Sequence, residues 1–147
     1  MEKLLVKKLS STAIIPTRAT VGSAGYDLYA DLENDVIILP GETKKINTGI
    51  AISLESGNYA AFIYARSGLA SNYGIAPANC VGVIDSDYRG EIVVALKNSS
   101  SQAFTVQSGQ RIAQMVLTFV LTPDTELTKD LDQTMRGEGG FGSTGEK

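Results

Sequence analysis

Period-two alternation runs through most of this chain, and it admits few folds. Ile46, Thr48, Ile50, Ile52 and Leu54 fall on one face of a strand, as a half-buried strand requires. Ile92, Val94 and Leu96 do the same, with Glu91 and Lys97 on the opposite face. Val36 to Leu39, Tyr59 to Tyr64 and Ile112 to Val120 are further β-branched or aromatic runs, several of them apolar on both faces. Strands of that kind must be covered twice, by a second sheet or by another subunit. Turn signals at Pro40-Gly41, Ser56-Gly57-Asn58, Lys97 to Ser101 and Ser108-Gly109 separate the runs. The one plausible helix is short, opening near Ser67 and ending before Gly74. Many short strands with frequent turns predict an all-β sandwich, jelly roll or barrel. With 147 residues the chain is one domain with a proper core.

Composition narrows the chemistry. There is no histidine, which excludes Ser-His and Cys-His catalysis and histidine metal ligands. A single cysteine, Cys80, permits no internal disulfide and no zinc cluster; a small core residue is its expected role. Base catalysis must come from a carboxylate, and any metal should be a hard, oxygen-seeking ion. A net charge of −3 argues against broad nucleic-acid or membrane-surface binding, so an anionic substrate needs a local group of arginines. No apolar run approaches the ~20 residues that span a bilayer. The N-terminus lacks a signal peptide's apolar region, so an intracellular compartment is the expectation.

The tail is of a different kind. Arg136 to Gly145 holds one cation, one aromatic and five glycines, too little apolar surface to offset the entropy of ordering itself. Its backbone N–H groups, hydroxyls and arginine suit a phosphate chain, and Phe141 could stack on a base. A flap that orders over a nucleotide and a frayed polar terminus both fit. Gly137, Gly139 and Gly142 match a dinucleotide-binding glycine pattern, and Gly140 to Gly145 has P-loop spacing. Both motifs need a helix after the glycines, and two residues cannot supply one. The division is therefore a β domain over 1–134 and a glycine-rich tail, flap or frayed terminus, over 135–147, joined through the acidic stretch Asp124 to Asp132.

Five segments stand out from the strand pattern: Ala24 to Ala30, Arg66 to Ala70, Gly82 to Gly90, Arg111 to Met115 and the glycine tail. In this order and spacing the chain resembles the trimeric deoxyuridine triphosphatases (dUTPases) from about Gly22 to Gly145. The resemblance implies a distorted jelly roll assembled as a homotrimer, with sites at subunit interfaces and each flap closing over a neighbour. It implies Mg²⁺-dependent hydrolysis of dUTP to dUMP and pyrophosphate, which keeps uracil out of DNA and supplies dUMP for thymidylate synthesis.

Residue roles follow from the same resemblance, beside plainer readings. Gly82 to Gly90 reads as a hairpin offering backbone groups to a base edge. Val83 and Ile84, with Asn79 upstream, would read uracil; a site built to hydrogen-bond uracil rejects cytosine strongly. Tyr88 would lie against the deoxyribose, although it also suits a half-buried sheet aromatic. Asp85 would be the general base for water attacking the α-phosphorus, and equally resembles a turn-capping Asp. Asp27 would meet magnesium through water, though alternation alone could point it to solvent. Arg66, Ser67 and Gly68 open the helix and would hold phosphate; Arg66 also suits a structural ion pair. Gln114 would offer its amide to a phosphate oxygen or a subunit neighbour. Arg136 would reach the terminal phosphates, Phe141 would close over uracil, and Gly142, Ser143 and Thr144 would surround the γ-phosphate.

Ala65 stands where the family often has proline, and Ser71-Asn72-Tyr73 replaces a segment that is often more basic. Neither touches a catalytic role. A dCTP deaminase of similar fold is the enzymatic rival, disfavoured by Asp85 and the flap. A catalytically silent nucleotide- or protein-binding homologue would have been suggested by loss of either feature, and both are present.

Overall fold

The computed structural model describes residues 3–140, and in it the alternating residues turn inward. Chain order is β1 (Leu5–Lys8), β2 (Tyr26–Tyr29), β3 (Val36–Ile38), β4 (Thr43–Asn47), β5 (Ile50–Ser53), β6 (Tyr59–Tyr64), α1 (Ser67–Tyr73), β7 (Ile75–Pro77), β8 (Gly82–Ile84), β9 (Val93–Asn98), β10 (Phe104–Val106) and β11 (Arg111–Phe119). All pairings are antiparallel. They form a four-stranded sheet ordered β2-β11-β6-β8, a three-stranded sheet ordered β4-β9-β7, and the pairs β1-β5 and β3-β10. The architecture is the distorted, all-β jelly roll expected, with one short helix.

The core lies between these layers and is almost wholly aliphatic. Leu28, Ile46, Ile50, Leu96, Ile112 and Met115 are buried, each contributing roughly 1.5–3 kcal/mol of transfer free energy. Ile46 to Leu54 do share a buried face, but on two strands rather than one. The break falls at Gly49, with φ +65 and an ideal Cβ position only 2.2 Å from Asp31 Oδ2. No residue with a side chain fits there. Thr48 is fully buried beside it and donates its hydroxyl to the Ile92 carbonyl at 2.5 Å.

Asp31 in turn pins the segment after β1. It accepts from Ser10 Oγ and, at 2.6 Å, from Thr12 Oγ1. These two hydroxyls, Ser10 first, hold its carboxyl below the ordinary value of 3.8.

One expectation fails outright: Cys80 is exposed, not a core residue. It occupies the turn between β7 and β8 with φ +62, and its N–H donates to the Pro77 carbonyl at 3.1 Å. From Leu121 onward the described chain forms no strand, and Leu121, Leu127, Leu131 and Met135 stand exposed. Among the described residues no helix is long and apolar enough to cross a membrane.

Candidate active site

Two clefts border the four-stranded sheet, one at its β8 edge and one against β2, β11 and β6. The first is built on β8, the edge strand. Among the described residues it pairs with β6 alone, Ala61 opposite Ile84 and Ile63 opposite Gly82, so alternate N–H and C=O groups on its other side meet no described strand. The chain then turns through Asp85 to Tyr88, closed by Tyr88 N–H donating to the Asp85 carbonyl at 3.2 Å. Arg89 folds back, its Nη1 donating to the Ser86 carbonyl at 2.7 Å and the Tyr88 carbonyl at 2.9 Å. The resulting cleft, about 420 Å³, has Ile63 and Pro77 in its lining and gathers Asn79, Val83, Ile84, Asp85 and Tyr88. All five residues assigned here from sequence are therefore brought together. The Tyr88 hydroxyl donates to the Glu91 carbonyl at 3.1 Å.

The second cleft, about 600 Å³, is polar and charged. It is lined by Asp27, Arg66, Ser67, Gly68, Arg111 and Gln114, with Ser23 to Gly25 and Tyr64 around them. Asp27 points into it rather than to bulk solvent: Oδ1 accepts from Arg66 Nε at 2.8 Å and Oδ2 from Arg111 Nη1 at 3.1 Å. Its side chain keeps only 13% of its exposure, Arg66 28% and Arg111 48%. A bulge in β11 between Arg111 and Ala113 produces this arrangement. It puts Arg111 opposite Tyr29 and Gln114 opposite Asp27, re-aiming the polar residues that follow. Ile112 and Ala113 are both buried in succession, while Gln114 and Val116 line the cleft. Strict alternation would put Ile112, Gln114 and Val116 on one face, and the bulge splits that face. Gln114 Nε2 donates to the Ala65 carbonyl at 2.9 Å, satisfying the amide within the chain. Its Oε1 lies where a Cβ on Gly25 would come within 2.7 Å, so the two residues exclude each other's bulk.

One sequence reading changes. Gly82 to Gly90 is not a paired hairpin, because β8 joins β6 whereas β9 joins β4 and β7; it is a turn passing between two sheets. Arg66 is in an ion pair while also lining the cleft. Arg136 donates Nε to the Gly139 carbonyl of its own loop at 2.8 Å and lines neither cleft. Phe141, Gly142, Ser143 and Thr144 lie outside the described residues. Arg111 and Glu91 had no role assigned from sequence. A cation opening a strand one residue beyond Ser108-Gly109 was the available signal for Arg111; Glu91 gave none.

Among the described residues no three His, Cys, Asp or Glu side chains gather to hold a metal. Asp27 already engages a guanidinium on each oxygen. Each oxygen keeps a further lone pair that a metal-held water can meet. The fit is to an ion carried by phosphate oxygens and reaching Asp27 through water, as Mg²⁺ prefers.

The dUTPase family model matches residues 11–145. The deoxyuridine 5'-triphosphate nucleotidohydrolase of Desulfitobacterium hafniense is 56% identical over 131 residues, 89% of this chain and 87% of that protein. The one from Hahella chejuensis is 48% identical over 145 residues, 99% and 95% of the two chains. A solved structure of the Staphylococcus bacteriophage 80alpha dUTPase with dUpNHpp superposes with a TM-score of 0.89, at 28% identity and 99% coverage of both chains. A family match across nearly the whole length, on a fold carrying both clefts, leaves one conclusion: the chain belongs to the dUTPase family.

Proposed function

We propose that this chain cleaves dUTP between the α- and β-phosphates with Mg²⁺, at sites shared between copies in a homotrimer. Hydrolysis of dUTP follows from family membership; the division of labour below is our reading. The observation that carries it is the free main-chain edge of β8 lying in one cleft with Asp85 and Tyr88. Uracil offers acceptor, donor, acceptor, and an edge strand offers fixed donors and acceptors in return. A mispaired base leaves buried groups unsatisfied, which is how such sites discriminate. Tyr88 packs against deoxyribose and leaves no room for a 2′-hydroxyl. Asp85 takes a proton from the attacking water as its oxygen bonds to the α-phosphorus and the bond to the bridging oxygen breaks. Pyrophosphate leaves.

The triphosphate belongs with Arg66, Ser67, Gly68, Arg111 and Gln114. A bound Mg²⁺ would neutralise charge developing on the leaving group; Asp27 would orient a water on it. The two clefts share no lining residue. Where both reach β6 they use Ile63 and Tyr64, consecutive strand residues that point to opposite faces of the sheet, which favours base and phosphates being held by different copies. The exposed Leu121, Leu127 and Leu131 also favour assembly. Residues 135–147 then serve as the flap, with Arg136, Phe141, Gly142, Ser143 and Thr144 reaching a neighbour's site.

Incubation with Mg²⁺ and each dNTP or UTP tests this. Only dUTP should be consumed, with pyrophosphate released; orthophosphate, or equal use of dCTP, defeats the reading. In the same panel a chain ending at Thr134 should keep its oligomeric state and lose most activity. Full activity would leave the glycine tail without a role.

A further inference from the structure

The rejection of a 2′-hydroxyl depends on where the Tyr88 ring stands, and the structure shows what holds it. The Tyr88 hydroxyl donates to the Glu91 carbonyl at 3.1 Å. That carbonyl belongs to the peptide unit joining Glu91 to Ile92, whose other end is also fixed: Ile92 N–H donates to the Ile50 carbonyl at 2.9 Å. A trans peptide is planar, with its N–H and C=O opposed. Anchoring the N–H on β5 therefore aims the C=O at Tyr88.

The side chain of Glu91 tightens the same point. Its Oε1 accepts from Gly49 N–H at 2.8 Å and its Oε2 from Asn47 Nδ2 at 3.1 Å. Thr48 Oγ1 donates to the Ile92 carbonyl. Every residue of the β4–β5 turn, from Asn47 to Ile50, thus bonds residue 91 or 92. Space is set as firmly as direction, since a Cβ on Gly90 would lie 2.4 Å from the Tyr88 hydroxyl oxygen.

We propose that Glu91 is a positioning residue for sugar discrimination: its carboxylate, gripped by the β4–β5 turn, fixes the carbonyl that holds Tyr88 against the deoxyribose. Glu91 acts through Tyr88 and takes no proton. The inference rests on the proposed reading of the Tyr88 cleft.

The test compares dUTP and UTP, as kcat and KM, for the wild type, Glu91→Ala, Glu91→Gln, Tyr88→Phe and the Glu91→Ala/Tyr88→Phe double variant, with melting curves for each. Glu91→Ala should raise KM for dUTP more than it lowers kcat. It should also narrow the dUTP preference about tenfold. Glu91→Gln keeps an acceptor for Gly49 and should restore most of the preference. The double variant should be no less selective than Tyr88→Phe, because both changes remove one linkage. Additive losses, or an unchanged preference in Glu91→Ala, overturn the proposal. Should Glu91→Ala not fold, Gly90→Ala displaces the same hydroxyl and must narrow the preference; if it does not, the proposal fails. A wild type that leaves dUTP intact defeats the proposed function itself and this inference with it.

Discussion

On the proposed reading, the two clefts solve recognition in opposite ways. On the β8 side the recognising groups are main chain, and the side chains around them mostly set shape. On the β2 side they are side chains, a carboxylate held between two guanidiniums across β2, β11 and the start of α1. Main-chain groups on an edge strand are as rigid as the sheet behind them and suit a flat, neutral base. A charge cluster can redistribute when an anion arrives, which suits a triphosphate. The contrast teaches that discrimination and charge handling are separately tunable in this fold.

Three substitutions test that separation. The largest effect belongs to the β8 cleft. Asp85→Asn should cut kcat roughly a hundredfold or more, the range for loss of a general base, while dUTP still binds. Near-normal kcat would remove the base from this cleft. Asp27→Asn should be milder and differently shaped. About tenfold more Mg²⁺ should be needed for half-maximal rate, while inhibition by metal-free pyrophosphate persists, because Arg66 and Arg111 are released rather than lost. An unchanged magnesium requirement would sink the water-bridged assignment.

The smallest effect lies in neither cleft. The Asp31 carboxyl is held below its ordinary 3.8 by Ser10 and Thr12. A depressed carboxyl stabilises the fold above the unfolded value, and that contribution fades as pH falls through the folded value. Asp31→Asn should therefore lower Tm by at most about 3 °C near neutrality, an exposed site being well screened. The gap should shrink below pH 3.8, with kcat unchanged. A gap that widens in acid would reverse the sign and refute the linkage.

Much of this was written in local pattern. Alternation identified the buried faces at Ile46 to Leu54 and Ile92 to Leu96 because the pleat has the same period as the sequence. The family resemblance carried by Arg66 to Gly68 and Gly82 to Gly90, with Asn79 upstream, pointed to residues that line both clefts. What escaped was non-local. No local signal says that β8 pairs with β6 while β9 goes elsewhere, since strand partners are chosen by the whole topology. The β11 bulge was invisible too, and with it the exit of Gln114 from the face of Ile112. Cys80 looked like core because small apolar residues usually are; its place in a turn depends on Pro77 and the strand crossing after it. Glu91 read as an ordinary polar-face residue, and only its bonds to Asn47 and Gly49 at the β4–β5 turn distinguish it.

The brevity of β8 has a consequence for how this enzyme could change over time. Its three residues carry no part of the guanidinium cluster, and β11 and β6 stand between them and Asp27. A lineage could alter its base preference by replacing Gly82, Val83 or Ile84 without first rebuilding its grip on the polyphosphate. Drift in the letter that is read need not loosen the hold on the phosphates.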